Sequence, residues 1–431
     1  MRKLLTFGLA VLCAVPAPAQ RADSAATARR AMAAAGRLLA AGDTLAAADS
    51  ALHAARAWPR QGAYRLAAAR LAARTGQRDV AIAELTAYTR MGFGWSDDDP
   101  WFAAVAPDPE FRALALEVEG HRLPLRGSQL FRTLADSTLH PEGVAFDPAT
   151  GRVFLSSVHR RKVIVIDPDG RVRDFVPTSA GLDAVFGVVV DRSRCLLWLT
   201  SGAVPEQRGT PRGTPGGSEV VAVALGDGAI RGRWALPDTA GAHLLGDVVL
   251  APDGQVYATD AIGRAVYRVP EEGESRELER MPWHHHDWVS LQGLAFSADG
   301  RQAWLADWTT GLFVVDVASG TVRPVAARAT DYTLGVDGLY LVGERRLVGL
   351  QNGVAPPRVV AFNLNTRGDS VVATTVLDRH LPLATEPTLG VLTPGALLYV
   401  ATSPWGHYRS DGTPDPARPF PPPVLLRLPL P

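Results

Sequence analysis

The feature that most constrains this chain is that it repeats itself. From about residue 129 to its end, short Val-rich strands separated by Gly/Asp turns recur at an interval of roughly 45 residues, which is the spacing of propeller blades. Six units can be written out: EGVAFDPATGRVFLSS and its continuation from Glu142, FGVVVDRSRCLLWLTS, GDVVLAPDGQVYATD, QGLAFSADGRQAWLAD, DGLYLVGERRLVGLQNG and TLGVLTPGALLYVATSPWG. Each reads as four strands, except that the sixth runs out of chain after VLLRLPL. SQLFRTLA, residues 128–135, has the character of the outer strands and precedes the first unit. Pairing it into the last blade would close the ring and remove an open sheet edge. The fold expected is mainly β: a six-bladed propeller over residues 129–431, joined by a linker at 121–128 to a smaller all-α domain.

That α-helical domain spans residues 22–120, where Ala, Leu and Arg recur at three- and four-residue spacing. Breaks fall at Ala41-Gly42-Asp43, Trp58-Pro59, Thr75-Gly76-Gln77 and Gly92–Gly94. LAARTGQRDVAIAELTAYTRMGF resembles a tetratricopeptide unit, and WSDDDPWFAAVAPDPEFRAL resembles the atypical last turn of such arrays. The resemblance implies either a groove for a protein partner or a packing module.

Ahead of it, Arg2 and Lys3, the apolar run Leu4–Val15 and Ala17-Pro18-Ala19 have the form of a signal peptide, residues 1–19. The apolar run is too short for a permanent membrane span, so a periplasmic or secreted protein with no transmembrane segment is expected. Cleavage removes Cys13 and leaves Cys195, read as a small core residue in the strand pattern DRSRCLLWLTS. With 44 basic and 44 acidic residues there is no field to hold a polyanion, which excludes nucleic acid as a partner. No phosphate-binding loop, dinucleotide fingerprint or Ser nucleophile elbow is present. Residues 204–217 and 404–423 are expected as exposed loops on one rim, where loops carry specificity.

The first strand of each blade lines the channel of a propeller, so equivalent residues converge on its axis. Aligning the units places Glu142, Phe186, Gly246, Gln292 and Asp337 there, with Thr388 aligned loosely in blade six. Two carboxylates and an amide oxygen facing one axis suit a hard cation such as Ca²⁺.

HPEGVAF, GDVVLAPDGQVYATD, LQGLAFSADGRQAWLAD and VDGLYL resemble landmark segments of the senescence-marker-protein/gluconolactonase/luciferin-regenerating-enzyme family, to which paraoxonases are related. The resemblance implies a divalent metal on the axis and hydrolysis of a lactone or small ester. Glu142 and Asp337 match the family's ligands, and Asp247 matches the Asp of its Asn-Asp pair. Gln292 replaces an Asn, and Gly246 replaces the Asn of that pair. Ca²⁺ is the expected ion, with Zn²⁺, Mn²⁺ or Mg²⁺ as alternatives. A general base is then needed; Asp260, Asp307 and His159, at the ends of second strands, are the candidates, and turn capping is the other role open to the two aspartates.

His284-His285-His286 cannot all face one ion from a strand, and a solvated or packed loop is expected. Trp283, Trp288, Trp308 and Trp405 form either an aromatic rim for a ligand or packing anchors. Two functions stay open: an exported metal-dependent hydrolase of the lactonase type, or a non-catalytic propeller that binds a small molecule or protein. A plain repeat scaffold would share the shape but leave the two axial carboxylates unexplained.

Overall fold

The structure is a computed structural model describing residues 18–212, 216–237, 241–271, 275–328 and 330–430, with side chains from residue 25. The expected leader, residues 1–19, lies outside the described residues apart from Pro18 and Ala19.

Five α-helices come first: α1 Pro18–Ala40, α2 Thr44–Ala57, α3 Gly62–Arg74, α4 Arg78–Thr89 and α5 Pro109–Arg122. Each break expected from the sequence falls between helices. Asp43 and Asp108 cap the helices that follow them, their carboxylates accepting from Ala46 N and Glu110 N. Ala47, Ala48, Ala51, Ala54 and Ala55 are all buried on α2, so the helices meet through small side chains. Among the described residues, no helix is long and apolar enough to cross a membrane.

Among the described residues, the rest of the chain forms 24 strands, β1–β24, in six four-stranded antiparallel sheets. Blades one to five are β2–β5 (residues 144–176), β6–β9 (184–235), β10–β13 (245–280), β14–β17 (291–324) and β18–β21 (336–379). The sixth is β22–β24 (390–429) completed by β1, Gln129–Thr133. β1 pairs with β24, Gln129 opposite Arg427 and Thr133 opposite Val424, so the N-terminal strand closes the ring as expected.

Cys195 corrects one expectation. It is not a core residue: it is exposed, at φ 55° in the turn before β7 (Leu196–Gly202). An apolar stretch interrupted by a tight turn looks like one strand in sequence, because only the backbone reveals the left-handed residue.

The helices are seated on the loops of blade five. Phe93 meets Tyr332 edge-on at 4.6 Å, and the Arg358 guanidinium lies 4.8 Å over Phe93 while donating to the Met91 carbonyl and to Gln351 Oε1. Tyr332, Leu334, Tyr88, Trp95, Phe102 and Phe111 belong to one continuous core. An edge-on aromatic pair of this kind contributes about 1 kcal/mol beyond its burial.

Candidate functional site

The inner strands of four blades carry the same irregularity. Register shifts between Val185 and Val188, Leu245 and Val248, Leu291 and Leu294, and Val336 and Leu339 in blades two to five. Such bulges re-aim side chains, and each falls on the axial residue and its successor. The successor is usually Gly because neighbouring blades nearly touch there. A Cβ on Gly143 would stand 2.5 Å from the Phe186 carbonyl oxygen, on Gly187 2.7 Å from that of Gly246, on Gly293 2.5 Å from that of Asp337, and on Gly338 2.7 Å from that of Thr388. Thr388 Oγ1 in turn donates to the Glu142 carbonyl. The inner strands therefore interlock around the ring, and Glu142, Phe186, Gly246, Gln292, Asp337 and Thr388 are the structurally equivalent set.

Blade three departs from this rule. Asp247 takes the Gly place, and its carboxylate accepts from the backbone amides of Val248 and of Leu294 in the next blade. The acid substitutes a side-chain bridge for a close backbone approach.

Four carboxylates act on one another at this mouth. Burial raises the pKa of Glu142 well above the usual range, with Asp337 and Glu386 adding to the effect. Burial pushes Asp337 up to about 7, and pushes Asp247 and Glu386 to about 7 with a further contribution from the Asp337 charge. Hydrogen bonds oppose this only in part. Glu142 Oε2 accepts from Ser403 Oγ at 2.5 Å and Trp405 Nε1 at 3.1 Å. Asp337 Oδ2 accepts from Asn352 Nδ2 at 2.7 Å, and Asn352 Oδ1 accepts from Trp308 Nε1. No basic side chain is among the groups that shift Asp247, Asp337 or Glu386.

Gln292 lies beside them: its Nε2 donates to Ser290 Oγ, and its Oε1 would stand 3.6 Å from a Cβ built on Gly246. Among the described residues, the group of three His, Cys, Asp or Glu whose ligand atoms all lie within 4.8 Å of one another is His285, His286 and Asp287; no three of the axial acids form such a group. The donor chemistry of the axial cluster, carboxylate and amide oxygen without a cationic partner, fits a hard divalent ion.

Asp260 and Asp307 are placed by a second repeating feature. A residue at or next to the end of the second strand satisfies backbone groups of the preceding loop in five blades. Ser157 donates to the Leu139 carbonyl, Ser201 accepts from Asp183 N, and Gln351 donates to the Tyr332 and Leu334 carbonyls. At the same place Asp260 Oδ1 accepts from the amides of Leu244, Ile262 and Gly263, and Asp307 accepts from those of Val289, Ser290, Thr309 and Thr310. Both aspartates are loop anchors, the capping role left open by the sequence. Asp260 keeps one further bond, Oδ2 to His243 Nδ1 at 2.6 Å, and His243 Nε2 is buried with no hydrogen-bond partner among the described residues.

His159 lies under the long loops. Its Nδ1 faces the Glu206 carbonyl at 2.8 Å and its ring packs on Phe420, and burial lowers its pKa. His140, Trp405 and Tyr408 continue this aromatic row to Glu142, with Tyr408 Oη 2.7 Å from His140 Nδ1. A Cβ on Gly412 would stand 2.4 Å from Pro205, so the loops around 205 and 412 do share one rim. Trp283 and Trp288 are core residues of blades three and four, while Trp308 is exposed. Of the four tryptophans, Trp308 and Trp405 are the two left for an aromatic rim.

Glu386, Asn352 and Ser403 went unnoticed in the sequence. Asn352 follows the second strand at the same offset as Trp308, a position the repeat alignment makes visible, whereas Ser403 lies three residues beyond β23, off that register. Glu386 lies in the divergent sixth unit, TEPTLGV, where only the acid beside a proline echoes PEG in blade one.

No protein-family model matches the chain, and no curated protein matches it. Solved structures do. A gluconolactonase from Xanthomonas campestris is similar over 72% of this chain and 91% of its own, at 19% identity and a TM-score of 0.47. A luciferin-regenerating enzyme covers 70% of this chain and 94% of its own, at 13% identity and 0.47. A calcium-binding regucalcin from Agrobacterium tumefaciens covers 69% and 93%, at 15% identity and 0.46.

Proposed function

We propose that the protein is an exported, metal-dependent hydrolase of the lactonase type, acting on a lactone or small ester. The observation that supports it is the axial group of Glu142, Asp247, Asp337 and Glu386. Glu142 and Asp337 are buried and Asp247 and Glu386 half-buried; the acids raise one another's pKa, and none of the last three is shifted by a basic side chain. Burying several carboxylates without a counter-charge is costly, and a divalent ion held by Glu142, Asp337, Asp247 and the Gln292 amide oxygen would offset that cost.

When bound, such an ion supplies Lewis-acid polarisation of the carbonyl and a more acidic water. The chain's own residues do the rest. Ser403, Trp405 and Asn352 orient the axial acids, and the row from Trp405 to Phe420 shields one side of the mouth. Asp307 is committed to four backbone amides and is not available as a base. Asp260 acts through His243, holding its Nδ1 and leaving Nε2 turned away from the carboxylate; His159 is held in the same way, with Nδ1 on the Glu206 carbonyl. Export rests on the Ala17-Pro18-Ala19 signature.

A non-catalytic binding propeller is the second reading. Gly246 in place of a ligand, and the lack among the described residues of any three axial acids within 4.8 Å of one another, favour it. Metal analysis of the purified protein combined with a lactone and aryl-ester panel separates the two. Stoichiometric divalent metal with turnover that chelation abolishes supports the hydrolase; bound metal without turnover on any member supports the binding module.

A further inference from the structure

The connection between blades three and four reads PWHHHDW, and the axial site makes no use of it. Both ends are pinned. Trp283 stacks on Tyr257 at 5.7 Å and Trp288 meets Phe313 at 6.2 Å, and both indoles are buried. Between them the Trp288 amide donates to the His285 carbonyl at 3.1 Å, closing a turn. The turn does what a strand could not: it brings the side chains of consecutive residues to one side.

His285 and Asp287 are each 8% exposed, and His286 faces solvent. Asp287 Oδ2 is 3.9 Å from His285 Nδ1 and 4.0 Å from His286 Nε2. The two imidazoles stack at 4.4 Å with their planes 23° apart. The Asp287 amide donates to His285 Nδ1 at 3.2 Å, so that nitrogen is unprotonated, and ligation through it exchanges this long hydrogen bond for the bond to the ion. Around a tetrahedral ion with bonds near 2.1 Å, donors sit roughly 3.4 Å apart. The Asp287 oxygen needs to close on each nitrogen by about half an ångström, and the two nitrogens, within 4.8 Å of one another, by at most about 1.4 Å, movements that fall to the exposed His286 imidazole.

We propose that His285, His286 and Asp287 form a second metal site, for a borderline ion such as Zn²⁺ or Cu²⁺. Two imidazoles and one carboxylate select ions of that kind, whereas the all-oxygen axial cluster selects Ca²⁺ or Mg²⁺. The buried face is fixed by the blade core, and the solvent face supplies entry and room for water to complete the shell. The site is independent of the axial one in residues and in ion preference.

The test uses the full chain without a polyhistidine tag, with Ca²⁺ present throughout. Zn²⁺ titration by calorimetry is expected to show one site per chain, weakened at least tenfold in His286→Ala and in Asp287→Asn. His286 is exposed, so its variant is expected to melt like the parent, and His284→Ala is expected to bind normally. Cu²⁺ electron paramagnetic resonance is expected to show two nitrogen ligands in the parent and one in His286→Ala. No Zn²⁺ binding by the parent would overturn the proposal. So would binding that survives in both His286→Ala and Asp287→Asn, or that is lost only in His284→Ala.

Discussion

Two rings of polar residues surround the channel mouth, and they use the same amino acid in opposite ways. In the outer ring, Asp307 is fully buried and receives four backbone N–H groups. In the inner ring, Asp337 is buried to a similar degree but receives one side-chain amide and faces other acids. The outer aspartate answers the demand of an adjacent loop, so its charge is spent on holding the fold. The inner one has a demand of its own that the described protein groups do not meet. Burial by itself marks neither for function; what distinguishes them is who supplies the donors.

Substitution in the outer ring is expected to have the largest effect on folding. Asp307→Ala removes the acceptor of four amides at a fully buried position and is expected to cost about 3 kcal/mol or more, measured by denaturant unfolding with no dependence on added Ca²⁺. A loss below about 1 kcal/mol would mean that water replaces the carboxylate and would erase the contrast between the rings.

The inner ring is expected to respond to pH. Asp247, Asp337 and Glu386 have folded-state pKa values pushed up to about 7, from ordinary values of 3.8, 3.8 and 4.5. The folded state therefore binds more protons than the unfolded state between pH 4 and 7. The stabilisation present at acid pH is lost as pH rises through 7, with each such acid contributing a slope of about 1.4 kcal/mol per pH unit where it titrates. Chelator-treated protein is expected to melt higher at pH 5 than at pH 8, and Asp337→Asn is expected to flatten that difference. Equal melts at the two pH values would contradict the raised pKa values.

The smallest effect expected is at Gly246. A Cβ there meets nothing nearer than Gln292 Oε1 at 3.6 Å, so Asn fits, and its amide oxygen joins the axial set. Ca²⁺ affinity is expected to rise roughly threefold to tenfold, about 1 kcal/mol, by calorimetry; weaker binding would place the ion elsewhere.

Much of this was legible in the sequence for a specific reason. A propeller repeats its backbone, so aligning the units located Glu142, Gln292 and Asp337, and the short last unit pointed to residues 128–135 as the closing strand. What repeats structurally without repeating in residue type was hidden. Ser157, Ser201, Asp260, Asp307 and Gln351 share one task, yet only the two acids among them stood out, and they looked catalytic. Glu386 was hidden because the sixth unit diverges just where the acid stands. The distances between axial oxygens depend on how tightly the bulged strands interlock, and no residue pattern encodes that spacing.

The most direct test of the central claim is the thermal melt of chelator-treated protein at pH 8 as Ca²⁺ is added, run beside Asp337→Asn. A ligand that binds only the folded state stabilises it by mass action, by about 2.7 kcal/mol at a hundredfold excess over Kd. The parent is expected to melt progressively higher with Ca²⁺. Asp337→Asn is expected to start higher than the parent, relieved of one buried charge, and to respond little. A parent whose melt is indifferent to Ca²⁺, Mg²⁺, Mn²⁺ and Zn²⁺ alike would contradict a cation at the axis.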